Sequence, residues 1–210
     1  MTLKTIWLGS YQANCYILID EESGKSLIVD PGFYSKRFEA FLKENNVTSP
    51  EYILLTHGHM DHICGAPYVR ENFGGKTVIG EKDAPYLEEY RFVDGAEDYE
   101  KAFKSSKADI TVNDGDGLDF AGHKIKVIHT PGHTAGEVCY IIDDMLFTGD
   151  VLFKDAIGRS DFPNGNLFSL IKSLRKLVSL PGDYRVLCGH GEETTLSRER
   201  EHNRFLENIK

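Results

Sequence analysis

Residues 56–62 read THGHMDH. Three of the chain's eight histidines, His57, His59 and His62, fall in these seven positions together with Asp61. The stretch follows YILLT (52–56), whose unbroken apolar run predicts a buried strand. On an extended segment leaving a strand, side chains at i and i+2 point the same way, so His57 and His59 could grip one ion. Asp61 and His62 are offset around the following turn, where they could reach a second ion beside the first. The spacing is not that of the helical H-E-x-x-H arrangement, which sets its histidines four apart.

Further ligand types stand at the ends of other apolar runs. His133 lies in HTPGHT (129–134), Asp150 ends MLFTGD (145–150), and His190 lies in CGHG (188–191). Residues at the ends of several strands are how a sheet scaffold builds a site at one edge. Imidazole and carboxylate together suit zinc, iron or manganese more than calcium or magnesium. Neighbouring glycines (Gly58, Gly132, Gly149, Gly189, Gly191) permit tight turns and close backbone approach. A lone histidine is more often a surface or satisfied core residue, and His123, His129 and His202 are read that way, with His129 near enough to His133 to support it.

The rest of the chain alternates short apolar runs with helical patterns. CYILID (15–20) and KSLIVD (25–30) flank EESG and predict a hairpin. Helices are predicted near 35–45, over APYVRENFG (66–74) and over 166–180, where apolar residues recur on one face. KTVIG, the two runs within 116–130, EVCYIID, MLFTGD and YRVLCGHG predict strands, with turns at Ala121-Gly122 and Asp143-Asp144. Residues 81–108 read as irregular to helical, and 197–206 as a short charged helix or tail.

A length of 210 residues suits one domain with a sizeable core, here made of two similar halves over 1–210. Hydrophobic residues at 40% and charged residues at 27% are ordinary for a soluble globular chain. No apolar run approaches the ~20 residues that span a bilayer, so no membrane partner is expected. The first twenty residues read as two strands rather than a signal peptide. Cys15, Cys64, Cys139 and Cys188 stand singly with no C-x-x-C pair, which points to reduced thiols in the cytoplasm. A net charge of −9 disfavours nucleic acid.

THGHMDH, TPGHT (130–134), TGD (148–150) and GHG (189–191), in this order, resemble the metallo-β-lactamase superfamily over nearly the whole chain. The resemblance implies an α/β fold, an αββα sandwich of two mixed sheets with helices outside and the metal site at one edge. It implies that His57, His59 and His133 hold a first divalent ion, that Asp61, His62 and His190 hold a second, and that Asp150 bridges both. Zinc is the expected metal, with iron or manganese as substitutes. The resemblance further implies that Asp61 and Asp150 carry the catalytic roles, that Asp30 in IVDPG supports the site from behind the ligands, and that a hydroxide bridging the ions is the nucleophile.

The best-known true β-lactamases place a cysteine where Asp150 stands, which disfavours antibiotic hydrolysis. TGDVLFKDAIGRSDFPNGN (148–166) and GHGEETTLSRERE (189–201) instead resemble small glyoxalase II-like hydrolases, which implies cleavage of a small thiol's thioester, of hydroxyacylglutathione type. Larger enzymes of that group add a C-terminal helical domain that holds glutathione, and none is expected here. Arg159 and Asp161 stand where those enzymes contact the thiol carrier. Arg159 could pair with a carrier carboxylate, or the two could form an ion pair with each other. A rival resemblance is to persulfide dioxygenases, with one iron on His57, His133 and Asp150. A third reading is a catalytically silent metal-binding module.

Overall fold

Each predicted apolar run forms a strand, and short strands with no predicted counterpart join them. The computed structural model describes residues 1–89, 97–207 and 209. The chain divides into two compact units, Met1–Ile79 with Ala84–Thr111, and Gly80–Asp83 with Val112–Lys210.

The first sheet has six strands in chain order: β1 (Thr2–Leu8), β2 (Ala13–Ile19), β3 (Ser26–Val29), β4 (Tyr52–Leu54), β5 (Lys76–Gly80) and β6 (Ile110–Val112). β1, β2 and β3 run antiparallel, while β3–β4 and β4–β5 are parallel. Parallel neighbours need a crossover. Here α1 (Lys36–Glu44) makes the first, and the one-turn α2 (Met60–Ile63) and α3 (Ala66–Phe73) make the second. Ser35 starts α1 by accepting the Phe38 N–H, and Pro67 sits in the first turn of α3, where its missing N–H costs nothing. Phe38 and Leu42 of α1 and Val69 of α3 are fully buried and pack with Ile28, Ile53 and Ile79 of the strands. Each such side chain contributes about 1.5–3 kcal/mol by leaving water.

After the 3₁₀ turn Glu81–Leu87 and the short helix α4 (Glu97–Ala102), the second sheet begins. Its strands are β7 (Gly117–Phe120), β8 (His123–His129), β9 (Val138–Ile142) and β10 (Met145–Gly149). A small hairpin of β11 (Leu152–Phe153) and β12 (Ala156–Ile157) follows, then α5 (Leu167–Val178), β13 (Arg185–Cys188), β14 (Thr194–Thr195) and α6 (Leu196–His202). The sheet order is β14-β13-β10-β9-β8-β7, with only β10–β13 parallel, α5 supplying that crossover. Ala121 and Gly122, at φ 50° and 87°, close β7 to β8 in a two-residue turn of the hand that suits twisted strands. Asn166 starts α5 by accepting the Ser169 N–H at 2.8 Å. Leu170, Leu174 and Leu177 of α5 are buried with Leu146 and Val186.

Two mixed sheets with helices make this the α/β fold that the resemblance implies. β6, the β11–β12 hairpin, β14 and α2 have no counterpart in the sequence reading, because two to four residues are too few to show a period. Within 81–108, Tyr86 and Tyr99 are buried core residues of the first unit, while Tyr90 and Phe92 lie outside the described residues.

Candidate metal centre

In each unit the candidate ligands follow the carboxyl ends of strands. β3 leads into Asp30, β4 into Thr56 and His57, β10 into Asp150, and β13 into Gly189 and His190.

In the first unit, His57 and His62 are fully buried and His59 nearly so. His59 is the extended residue that caps α2, at φ −71° and ψ 148°, so it still follows strand alternation and lies beside His57. His57 Nε2 and His59 Nδ1 are 3.2 Å apart. Gly58 between them is required: a β-carbon there would lie 2.6 Å from the Tyr86 side chain, which packs edge-on to His59. The one-turn α2 carries Asp61 and His62, leaving His62 Nε2 3.6 Å from Asp61 Oδ2. Behind them sits Asp30, held in the left-handed region at φ 49°. Its Oδ1 accepts the Thr56 N–H at 2.8 Å, its Oδ2 accepts the Thr56 hydroxyl at 2.7 Å, and Oδ2 also faces His62 Nδ1 at 3.0 Å.

In the second unit, His133 Nδ1 lies 2.8 Å from the backbone oxygen of Arg159, which can only accept, so Nδ1 is the protonated nitrogen and Nε2 carries the lone pair. His133 Nε2 is 3.5 Å, and His190 Nε2 3.6 Å, from Asp150 Oδ2. The loop carrying His133 lies directly on α5: a β-carbon at Gly132, where φ is 152°, would stand 2.3 Å from Leu170 Cα.

These distances fit a cation. At 3.5–3.6 Å the carboxylate oxygens are beyond hydrogen-bond reach of the imidazole nitrogens. Two ligands of one tetrahedral zinc, each about 2.0–2.2 Å from the ion, lie roughly 3.3–3.6 Å apart. His62 and His133 each engage a protein acceptor through Nδ1, the arrangement that orients a ligating imidazole and fixes its tautomer. Histidine and aspartate side chains thus form groups that could hold a metal ion.

Arg159 and Asp161 meet each other. Arg159 donates through Nε and one terminal nitrogen to the two Asp161 oxygens, both at 2.7 Å, and its guanidinium lies 4.0 Å from the centre of the Phe162 ring. That guanidinium holds the Asp161 carboxyl down at about 2. Phe162 in turn packs edge-on to His133. The loop thereby braces His133 on two sides, by the Arg159 carbonyl and the Phe162 ring. Of the remaining histidines, His129 Nε2 lies 3.0 Å from the Ala135 oxygen, and His123 pairs with Asp143. All four cysteines are buried free thiols.

Two buried acids bonded to the segments that carry His133 and Asp150 escape the sequence reading. Asp83 accepts the Thr134 hydroxyl at 2.6 Å and the Gly136 N–H at 2.7 Å, fixing the loop just after His133. Glu137 accepts the N–H of Asp150 at 2.8 Å. A polar residue hidden among many surface acids gives no local signal, and only burial singles these two out.

The family model of the metallo-beta-lactamase superfamily matches residues 8–190. The chain belongs to that superfamily. Hydroxyacylglutathione hydrolase GloC of Haemophilus influenzae is 33% identical over 215 residues, covering 98% of each chain. The crystal structure of BLEG-1 B3 metallo-beta-lactamase superposes with a TM-score of 0.90 at 34% identity, covering 99% of this chain and all of that one. TTHA1623 in a di-iron-bound form superposes with a TM-score of 0.81 at 30% identity, covering 97% of this chain and all of that one. Among the described residues no helix is long and apolar enough to cross a membrane.

Proposed function

We propose that the chain is a metal-dependent hydrolase that cleaves the thioester of a small thiol, of hydroxyacylglutathione type. In this reading His57, His59 and His133 hold one divalent ion, Asp61, His62 and His190 hold a second, and Asp150 serves both. Zinc suits the nitrogen and carboxylate donors best, with iron and manganese as substitutes. The bound ions would lower the pKa of water to about 7 and polarise the thioester carbonyl.

The observation that supports the substrate class is the 33% identity to GloC across almost the full length of both chains. The chain's own residues supply orientation. Asp30 keeps the proton of His62 on Nδ1, and the Arg159 carbonyl does the same for His133, so both Nε2 atoms present lone pairs. Asp61 and Asp150 are the carboxylates placed beside those nitrogens, with oxygens that can take up a proton from water. Cleavage adds hydroxyl to the acyl carbon and breaks its bond to sulfur, so the thiol leaves with little need of an acid. The bidentate pair with Asp161 favours Arg159 as a brace for the His133 loop over Arg159 as a carrier contact. Reduced buried cysteines and the net charge of −9 suit a cytoplasmic enzyme of small acyl thiols, with no nucleic acid partner.

The test is thiol release from S-D-lactoylglutathione by zinc-loaded protein, beside an Asp150→Ala control. Release by the wild type and loss in the control support the reading. No release, with oxygen uptake on a persulfide by iron-loaded protein, would replace it by the dioxygenase. Tight binding of zinc without either reaction would leave a binding module.

A further inference from the structure

Where β10 ends, the backbone must leave the sheet to deliver Asp150. The register that pairs Met145 with Ile142, Leu146 with Ile141 and Phe147 with Tyr140, continued three residues further, sets Asp150 opposite Glu137. The regular ladder stops short of that point. Pairing with β13 slips between Phe147 and Gly149, and Gly149 turns to φ 49°. The Asp150 N–H therefore points to a place where no strand carbonyl receives it, and Glu137 Oε1 accepts it at 2.8 Å instead. Glu137 has no exposed surface at all. A carboxyl group is costly to bury unless a donor requires it. Its own backbone is anchored on the neighbouring strand, where its carbonyl accepts the Thr130 N–H at 2.9 Å and Val138 pairs with His129.

We infer that Glu137 is a positioning residue for Asp150: by accepting the Asp150 N–H it sets the backbone rotation that aims Oδ2 at the Nε2 atoms of His133 and His190. The inference rests on the metal-centre reading above. The role needs only an acceptor oxygen of the right reach. Glutamine keeps that oxygen at the same length, whereas methionine has similar volume and offers only a weak sulfur acceptor.

The experiment compares wild type, Glu137→Gln and Glu137→Met. Zinc affinity is read by competition with a chromophoric chelator, the visible spectrum of the cobalt-loaded proteins reports ligand geometry, and melting of the metal-free proteins reports folding. The expected result is that E137Q stays close to the wild type, while folded E137M loses about 10–100-fold in zinc affinity, the usual cost of losing a partner behind a ligand, and shows an altered cobalt spectrum. E137M and E137Q alike in both readouts would overturn the inference while leaving the metal centre standing. Wild-type protein that takes up no zinc would overturn the metal-centre reading and this inference with it. Should E137M fail to fold, amide hydrogen exchange decides: an Asp150 amide protected in metal-free wild type and E137Q supports the role, and one exchanging at the open-chain rate overturns it.

Discussion

Changing Asp30 to asparagine swaps one acceptor for one donor and so tests how the carboxylate behind His62 acts. Asp30 is 2% exposed, and its two oxygens face three groups: the Thr56 N–H, the Thr56 hydroxyl and His62 Nδ1. A carboxylate can only accept, which draws the His62 proton to Nδ1 and leaves Nε2 bare. In Asp30→Asn the amide oxygen stays on the Thr56 N–H and the NH₂ group faces His62. His62 then accepts at Nδ1 and moves its proton to Nε2, the atom 3.6 Å from Asp61 Oδ2. Ligation through that atom requires the proton to leave first. The expected loss in zinc affinity is about 10–100-fold, or roughly 1.4–2.7 kcal/mol. The metal-free fold suffers less, about 1–2 kcal/mol, because most buried donors still find an acceptor; in a chain of this length that lowers the melting temperature by roughly 2–8 °C. Asp30→Ala strands all three groups, each worth about 1–3 kcal/mol, so its fold is hit harder than its asparagine counterpart. Chelator competition, melting curves and nitrogen NMR of His62 measure the three quantities. D30N with wild-type zinc affinity, or with its His62 proton still on Nδ1, would refute the reasoning.

Gly132→Ala places a β-carbon 2.3 Å from Leu170 Cα, so the His133 loop has to lift off α5; overpacking of this kind costs about 1–3 kcal/mol, and both melting temperature and zinc affinity fall together. Glu199 is fully buried and accepts from Thr194 Oγ1, an Arg198 terminal nitrogen, the Asp155 N–H and the Asn203 amide at 2.7–2.9 Å; Glu199→Ala is expected to cost about 1–3 kcal/mol in urea unfolding for each of the Thr194, Asp155 and Asn203 donors that stays buried without an acceptor, and a total loss under about 1 kcal/mol would contradict that network. Burial pushes the Cys64 and Cys188 thiols up to about 12 and raises those of Cys15 and Cys139 as well. Since the unfolded thiol titrates near ~8.5, the stability these groups provide is fully present below that pH and is lost as pH rises toward 12. Melting at pH 10 therefore lies below melting at pH 8, with a shallower slope in Cys188→Ala, and iodoacetamide labels the four cysteines only on unfolding.

His57 and His59 were readable as a pair because strand alternation is a local rule that needs no partner from elsewhere in the chain. The α5 helix was readable for the same reason, since an apolar stripe repeats every turn within twelve residues. Asp61 and His62 were placed around a turn, but the single helical turn that holds them was not, because four residues carry no period. Arg159 shows the boundary most sharply. Its sequence allowed a carrier contact or an ion pair with Asp161, and the folded loop forms the pair while using the Arg159 carbonyl, a group every residue owns, to orient His133. Asp83 and Glu137 act on loops 51 and 13 residues away. Their carboxyl groups look in sequence like any surface acid; what singles them out is that the fold buries them against backbone donors with nowhere else to bond. The sequence by itself thus determined which atoms could bind a metal, since ligand chemistry resides in side-chain type and short spacing. The tertiary structure alone decided which groups aim those atoms, since aiming is done by hydrogen bonds that close only when distant strands pair.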